Sequence, residues 1–277
     1  MVSILTIAAL CFSLIGCFVV PIVLCIVFMR KTRPGALPLI LGIAVFIIFV
    51  LILEQLMHYA VLFGIPFTRD LIGGNTWLYA TYGALAAGIF EEAGRFLAFS
   101  LFLKKKREWK HGITYGIGHG GIEAILIAFP SVLNSLIYSV LINSGGFDAL
   151  KNSTPTATAS LLEQARQSLL NEPSWLFALS GVERMCALIF QIALSVLVLY
   201  AVYSKKYLFV GLAVLLHAGI DFPAALYQRG VLPIWSVELF CVLLTIPSLI
   251  FIFKSRKLFA GAANEQSPAD ITSQSLV

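Results

Sequence analysis

The sequence predicts an all-α protein, a polytopic transmembrane helix bundle of about seven spanning helices, and three observations carry that expectation. Of 277 residues, 59% are hydrophobic and only 12% charged, with a mean hydropathy of +0.93, which is too much apolar side chain for a water-exposed surface. The apolar residues gather in runs of the roughly 20 residues that a helix needs to cross a bilayer. The basic residues gather between those runs, on alternate connections, as in a chain threaded back and forth under the positive-inside rule. A soluble globule, a disordered chain and a secreted disulfide scaffold are excluded, because none can hold this much apolar surface out of water.

The runs cover about residues 3–29, 37–64, 75–103, 112–142, 175–203, 207–227 and 231–253. Several exceed one crossing, which implies tilt or overhang. The first is too long for a signal-peptide core and lacks an A-x-A cleavage site, so it is expected to be a retained span. Thirteen of the nineteen Lys and Arg lie in four clusters: Arg30, Lys31 and Arg33; Lys104 to Arg107 with Lys110; Lys205 and Lys206; and Lys254, Arg256 and Lys257. Facing these to the cytoplasm gives a multi-pass protein of the cell membrane with its N-terminus outside and its C-terminus inside, a parity that seven spans satisfy.

The net charge of +5 is spread as topology signals between apolar runs, so no nucleic-acid partner is expected. The bilayer is the expected surroundings. The five cysteines are odd in number, lie within apolar runs and show no C-x-x-C spacing; they read as small buried side chains. The longest connection, 143–174, contains Leu161, Leu162, Ala165, Leu169 and Leu170 at helical spacing, with Glu163 and Arg166 opposite, and predicts a short amphipathic helix on the outer surface. Residues 1–258 are expected to form one transmembrane helical domain, and 259–277 a polar, disordered cytoplasmic tail.

Charges inside a bilayer are unfavourable by about 2.5–3.5 kcal/mol on insertion scales, so those that persist there are functional candidates. Seven of the fourteen acids and two of the four histidines are so placed: Glu54, Glu91, Glu92, Glu123, Glu183, Asp221, Glu238, His119 and His217. Their spacing is informative. Glu91 and Arg95 are i,i+4 neighbours on the third span, with Glu92 turned about 100° away. His119 and Glu123 are i,i+4 on the fourth span among Gly116, Gly118, Gly120 and Gly121, small residues that admit close helix neighbours. His217 and Asp221 repeat the spacing on the sixth.

At ~1.5 Å rise per residue from the cytoplasmic end of each span, Glu91 and Glu92 lie roughly 17–18 Å deep, His119 and Glu123 roughly 11–17 Å, and His217 and Asp221 roughly 15–21 Å. All three pairs therefore share one layer. Glu54 and Glu238 stand alone near span ends and are expected to snorkel toward water. Glu183-Arg184, nearer the outer face, either closes the layer from above or pairs with itself. His58 and His111 sit at span margins and receive no role.

Two chemistries follow from such a layer. In one, His119, His217 and a carboxylate, with Glu123 one turn from His119, hold Zn²⁺ and leave a position for water. In the other there is no metal, and Glu91 or Glu92 activates water while the histidines stabilise the oxyanion. Both hydrolyse an amide. The pairing of Glu91 with Arg95 suggests that Glu91 is held ionised and Glu92 left free to shuttle a proton, with His217 oriented by Asp221.

The ordered set Glu91-Glu92-x-x-Arg95, Gly118-His119-Gly120-Gly121-Ile122-Glu123, Glu183-Arg184 and His217-x-x-x-Asp221 resembles the YhfC-type intramembrane metalloproteases. These are similar in motif layout to the PrsW proteases and, more distantly, to the CAAX prenyl endopeptidase and bacteriocin-processing superfamily. The resemblance covers roughly spans two to seven. It implies that the chain is an intramembrane endopeptidase acting on a membrane-associated protein or peptide, with Glu91 and Glu92 activating water and His217 and Asp221 catalytic or ligating. His119 and Glu123 combine the acid found at that motif in PrsW-like proteins with the histidine of the CAAX type. Two other classes compete: a proton-coupled transporter, against which stand the missing inverted repeat and the single polar layer, and a non-catalytic immunity or scaffold protein, whose expected loss of a paired glutamate or histidine is absent.

Overall fold

The computed structural model of the chain describes residues 1–260, and among them every regular element is helical. Of the predicted tail 259–277, residues 261–277 lie outside the described residues, while Phe259 is the buried last residue of a helix. The long helices are α1 (Ile4–Thr32), α2 (Leu37–Gly64), α5 (Trp109–Ser144), α8 (Ser174–Ser204), α9 (Leu208–Gln228) and α10 (Ile234–Phe259), and these six are long and apolar enough to cross a membrane. The remaining predicted span is α4, Thr76–Leu97, at 22 residues equally long enough. It falls short in apolarity because Glu91, Glu92 and Arg95 crowd its last two turns. The shorter helices are α3 (Pro66–Gly73), α6 (Phe147–Asn152) and α7 (Thr156–Asn171).

Local signals set several of these ends. Ser3 caps α1 by accepting from the Thr6 amide at 3.0 Å, and Asn75 caps α4 by accepting from Leu78. Gly145, at φ +80°, closes α5 in the left-handed conformation that glycine takes without strain.

The described chain divides into two compact units. The first comprises residues 1–24 and 121–186. Its core is Val2, Leu10, Cys17, Ala124, Ala128, Val132 and Leu169. α1 and α8 cross there at small residues: a Cβ on Gly181 would stand 2.6 Å from the Ser13 Cα, and the Ser13 hydroxyl donates to the Phe177 carbonyl at 2.6 Å while accepting from the Gly181 amide. The predicted amphipathic helix is present as α7, with Leu162 and Leu169 buried but Leu161 63% exposed. Lys151 with Glu163 and Arg166 with Asp148 tie α7 to α6.

The second unit comprises residues 25–120 and 187–260. Its part of α8 is apolar and buried nearly all round, with Val196, Val198, Leu199 and Ala201 fully enclosed, which makes it the central helix of the unit. α5 lies close against it and against α2. A Cβ on Gly118 would fall 2.4 Å from the Leu39 carbonyl oxygen, and one on Gly116 2.5 Å from the Ile192 Cα. α4 packs along α9. These close approaches bring α4, α5, α8 and α9 near enough for short polar side chains to meet.

Candidate active site

Within the second unit Glu91, Glu92 and Arg95 from α4, His119 from α5, Gln191 from α8 and His217 from α9 form one hydrogen-bonded cluster, and each is buried. Glu91 is its hub. Its Oε2 lies 2.8 Å from His119 Nε2 and accepts from Gln191 Nε2 at 3.0 Å, and its Oε1 lies 3.7 Å from His217 Nε2. Both histidines therefore turn the same ring nitrogen toward one carboxylate. The His119 ring is fixed by packing, edge-on to Phe46 at 5.4 Å and stacked with Tyr115 at 6.1 Å between centroids.

Glu92 is more tightly engaged than the sequence suggests. Arg95 Nη1 donates to Glu92 Oε1, whereas Arg95 Nη2 reaches Glu91 Oε2 only at 3.5 Å. The i,i+4 spacing correctly pairs Arg95 with Glu91, but a forked guanidinium also reaches the i−3 side chain, and here that contact is the closer one. Glu92 is thus a held carboxylate. It also lies 2.8 Å from His217 Nδ1, so Glu92, and not Asp221, anchors the second nitrogen of that ring. Asp221 stands instead 3.4 Å from His217 Nε2, with its side chain 40% exposed.

Gln191 joins the cluster although the sequence pattern does not single it out. Its Oε1 accepts from Arg95 Nη2 while its Nε2 donates to Glu91, so one amide links both charges. Its signal was available: an uncharged amide alone in the run Met185–Val202 also needs a partner in an apolar setting.

Other predicted residues lie elsewhere. Glu123 belongs to the first unit, where its Oε1 accepts from Arg184 Nη1 at 2.9 Å, and the same arginine donates to Glu183. Glu54 does not snorkel. It is 5% exposed, and its Oε1 lies 3.1 Å from His58 Nε2, whose Nδ1 lies 2.8 Å from the Tyr82 hydroxyl. The i,i+4 histidine supplies a partner inside the helix pair, so the carboxylate needs no route to water. Glu238 is buried as well, at 6% exposure.

Three carboxylates, those of Glu91, Glu92 and Asp221, stand against the single guanidinium of Arg95. Glu91, Glu92 and Arg95 are buried, whereas Asp221 reaches solvent at the edge of the cluster. Among the described residues no group of three or more His, Cys, Asp or Glu is already arranged at metal-coordinating spacing. The donor chemistry does suit a divalent ion: two imidazole nitrogens and a carboxylate face one another, and His217 has the carboxylate on its second nitrogen that ligating histidines commonly have.

A family model described as YhfC intramembrane metalloprotease matches residues 16–241. The chain is also 39% identical over 243 residues to the "Uncharacterized membrane protein YhfC" of Bacillus subtilis (strain 168), an alignment that covers 87% of this chain and 93% of that protein. No solved structure matches it. The match spans α4, α5, α8 and α9, which supply every residue of the buried cluster, and on this evidence the chain belongs to the YhfC intramembrane metalloprotease family.

Proposed function

We propose that this membrane protein is an intramembrane endopeptidase that hydrolyses a peptide bond of a membrane-associated protein or peptide, with Glu91, His119 and His217 holding Zn²⁺. The observation that carries this reading is the convergence of both histidine Nε2 atoms on the Glu91 carboxylate, at 2.8 and 3.7 Å. When bound, the metal would lower the pKa of water and polarise a carbonyl.

The chain's own residues supply the remaining tasks. Glu92 accepts the Nδ1 proton of His217 and so keeps the Nε2 lone pair turned toward Glu91. Arg95 fixes Glu92 in one rotamer, and Gln191 fixes Glu91 from the α8 side. Asp221, the most exposed acid of the group, is the base that takes a proton from the attacking water and returns it to the leaving amine. The apolar helices around the cluster exclude bulk water, which strengthens each of these interactions.

The orientation with the N-terminus outside and the C-terminus cytoplasmic belongs to the same reading, and rests on the basic clusters. The test is a comparison of newly created protein N-termini in membranes from cells expressing the wild type or Glu91→Gln. Cleavage products present only with the wild type are expected. Identical sets of N-termini, with both proteins expressed equally, would remove the peptidase reading.

A further inference from the structure

Away from the buried cluster, the ends of three long helices of the second unit enclose a cavity of about 580 Å³, lined by Lys31 and Thr32 of α1, Glu108, Trp109 and Lys110 at the start of α5, and Arg256, Phe259 and Ala260 at the end of α10. Three cations from three helices face it, against one acid. Lys110 pairs with Glu108 at 3.0 Å. Among the described residues neither Lys31 nor Arg256 has a carboxylate partner, so the cavity keeps an excess of positive charge.

Its floor is built and held. The Trp109 indole nitrogen donates to the Ile252 carbonyl at 3.0 Å and contacts the Ser255 hydroxyl at 3.1 Å. Arg256 lies over the same ring, 5.9 Å from its centroid, and Phe28 packs at 6.2 Å. An indole anchored at the end of a spanning helix, with lysine and arginine around it, has the amphipathic character of the membrane interface, where lipid phosphates lie. Helix C-termini alone would explain Lys31 and Arg256 as partners of the terminal carbonyls, but Lys110 stands in the first turn of α5, where no carbonyl is free. They do not explain why Lys31, Lys110 and Arg256 share a cavity with an immobilised indole and the buried Phe259.

We infer that this cavity binds the phosphate of an anionic phospholipid headgroup. Lys31 and Arg256 contact the phosphate, with the guanidinium able to bind two of its oxygens, and Trp109 and Phe259 lie against the glycerol and first methylenes. A cavity with an apolar wall suits a phosphate attached to a lipid better than the free ion, which would leave that wall unused.

The full-length protein, released from nanodiscs containing phosphatidylglycerol and phosphatidylcholine, would be examined by native mass spectrometry for retained lipid. The wild type is expected to retain phosphatidylglycerol preferentially. The double variant Lys31→Gln/Arg256→Gln should retain it about tenfold less or weaker still, since each basic side chain at the surface contributes to anionic-lipid attraction. Lys257→Gln, next to the cavity but not lining it, should behave as the wild type. Inorganic phosphate added in excess should not displace the lipid. Equal retention of the two lipids by the wild type, an unchanged preference in the double variant, or displacement by inorganic phosphate alone would each overturn the assignment.

Discussion

Glu92 holds His217 by its Nδ1 at 2.8 Å, and in doing so points the opposite nitrogen of that ring at Glu91. Adjacent glutamates on one helix thus serve one histidine from two sides. Under the proposed function this arrangement makes Glu92 a positioning residue and places Glu91 at the reactive centre.

Glu92→Gln should therefore reduce metal affinity and peptide cleavage together, by roughly 10–100-fold, the range found when a partner of a ligating histidine is removed. Asp221→Asn should lower cleavage while leaving metal content near the wild-type level, because its proposed role is proton transfer. Isothermal titration with zinc alongside a cleavage assay separates the two. Equal metal loss in both variants would contradict the division of roles.

Gln191→Leu removes an amide that joins Arg95 to Glu91 inside the second unit. Leaving buried charged groups short of a partner costs about 1–3 kcal/mol, so thermal unfolding in detergent should occur at a clearly lower temperature. A midpoint unchanged from wild type would show that the amide is a bystander.

Helix approach is testable with a pair of glycines. Gly118→Ala places a methyl 2.4 Å from the Leu39 carbonyl oxygen, and overpacking of this kind costs about 1–3 kcal/mol. Gly219→Ala meets nothing within 4 Å and should be neutral or slightly stabilising, since alanine is favoured over glycine in a helix by roughly 1 kcal/mol. The same unfolding measurement should place the two variants on opposite sides of the wild type, or nearly so.

For topology, Ser144→Cys should be labelled by an impermeant maleimide added to intact cells, after native thiols have been blocked, and Lys205→Cys only once the membrane is opened. Both positions are exposed. The reverse pattern would invert the proposed orientation.

The spans were legible in the sequence because a bilayer imposes length and apolarity on each helix, and α2 matches its predicted run, 37–64, at both ends. The short helices α3 and α6 were not, since eight and six residues carry too little periodicity to stand out. The grouping of Glu91, Glu92, His119 and His217 was legible as a shared depth. Which atoms meet was not: depth says nothing of helix rotation, and rotation decides that Arg95 favours Glu92 and that Glu123 belongs with Arg184. Gln191 carries no charge to mark it in an apolar run, although a buried amide demands partners by the same physics.

Metal content of the purified protein bears most directly on the assignment of Glu91, His119 and His217. Wild type should carry about one zinc ion per chain. Glu91→Gln and His217→Ala should lose it with helicity retained, while Glu123→Gln, whose carboxylate is engaged by Arg184, should keep it. A wild type purified without chelators that binds no zinc even when zinc is supplied, or a zinc content untouched by Glu91→Gln and His217→Ala, would contradict the proposed centre.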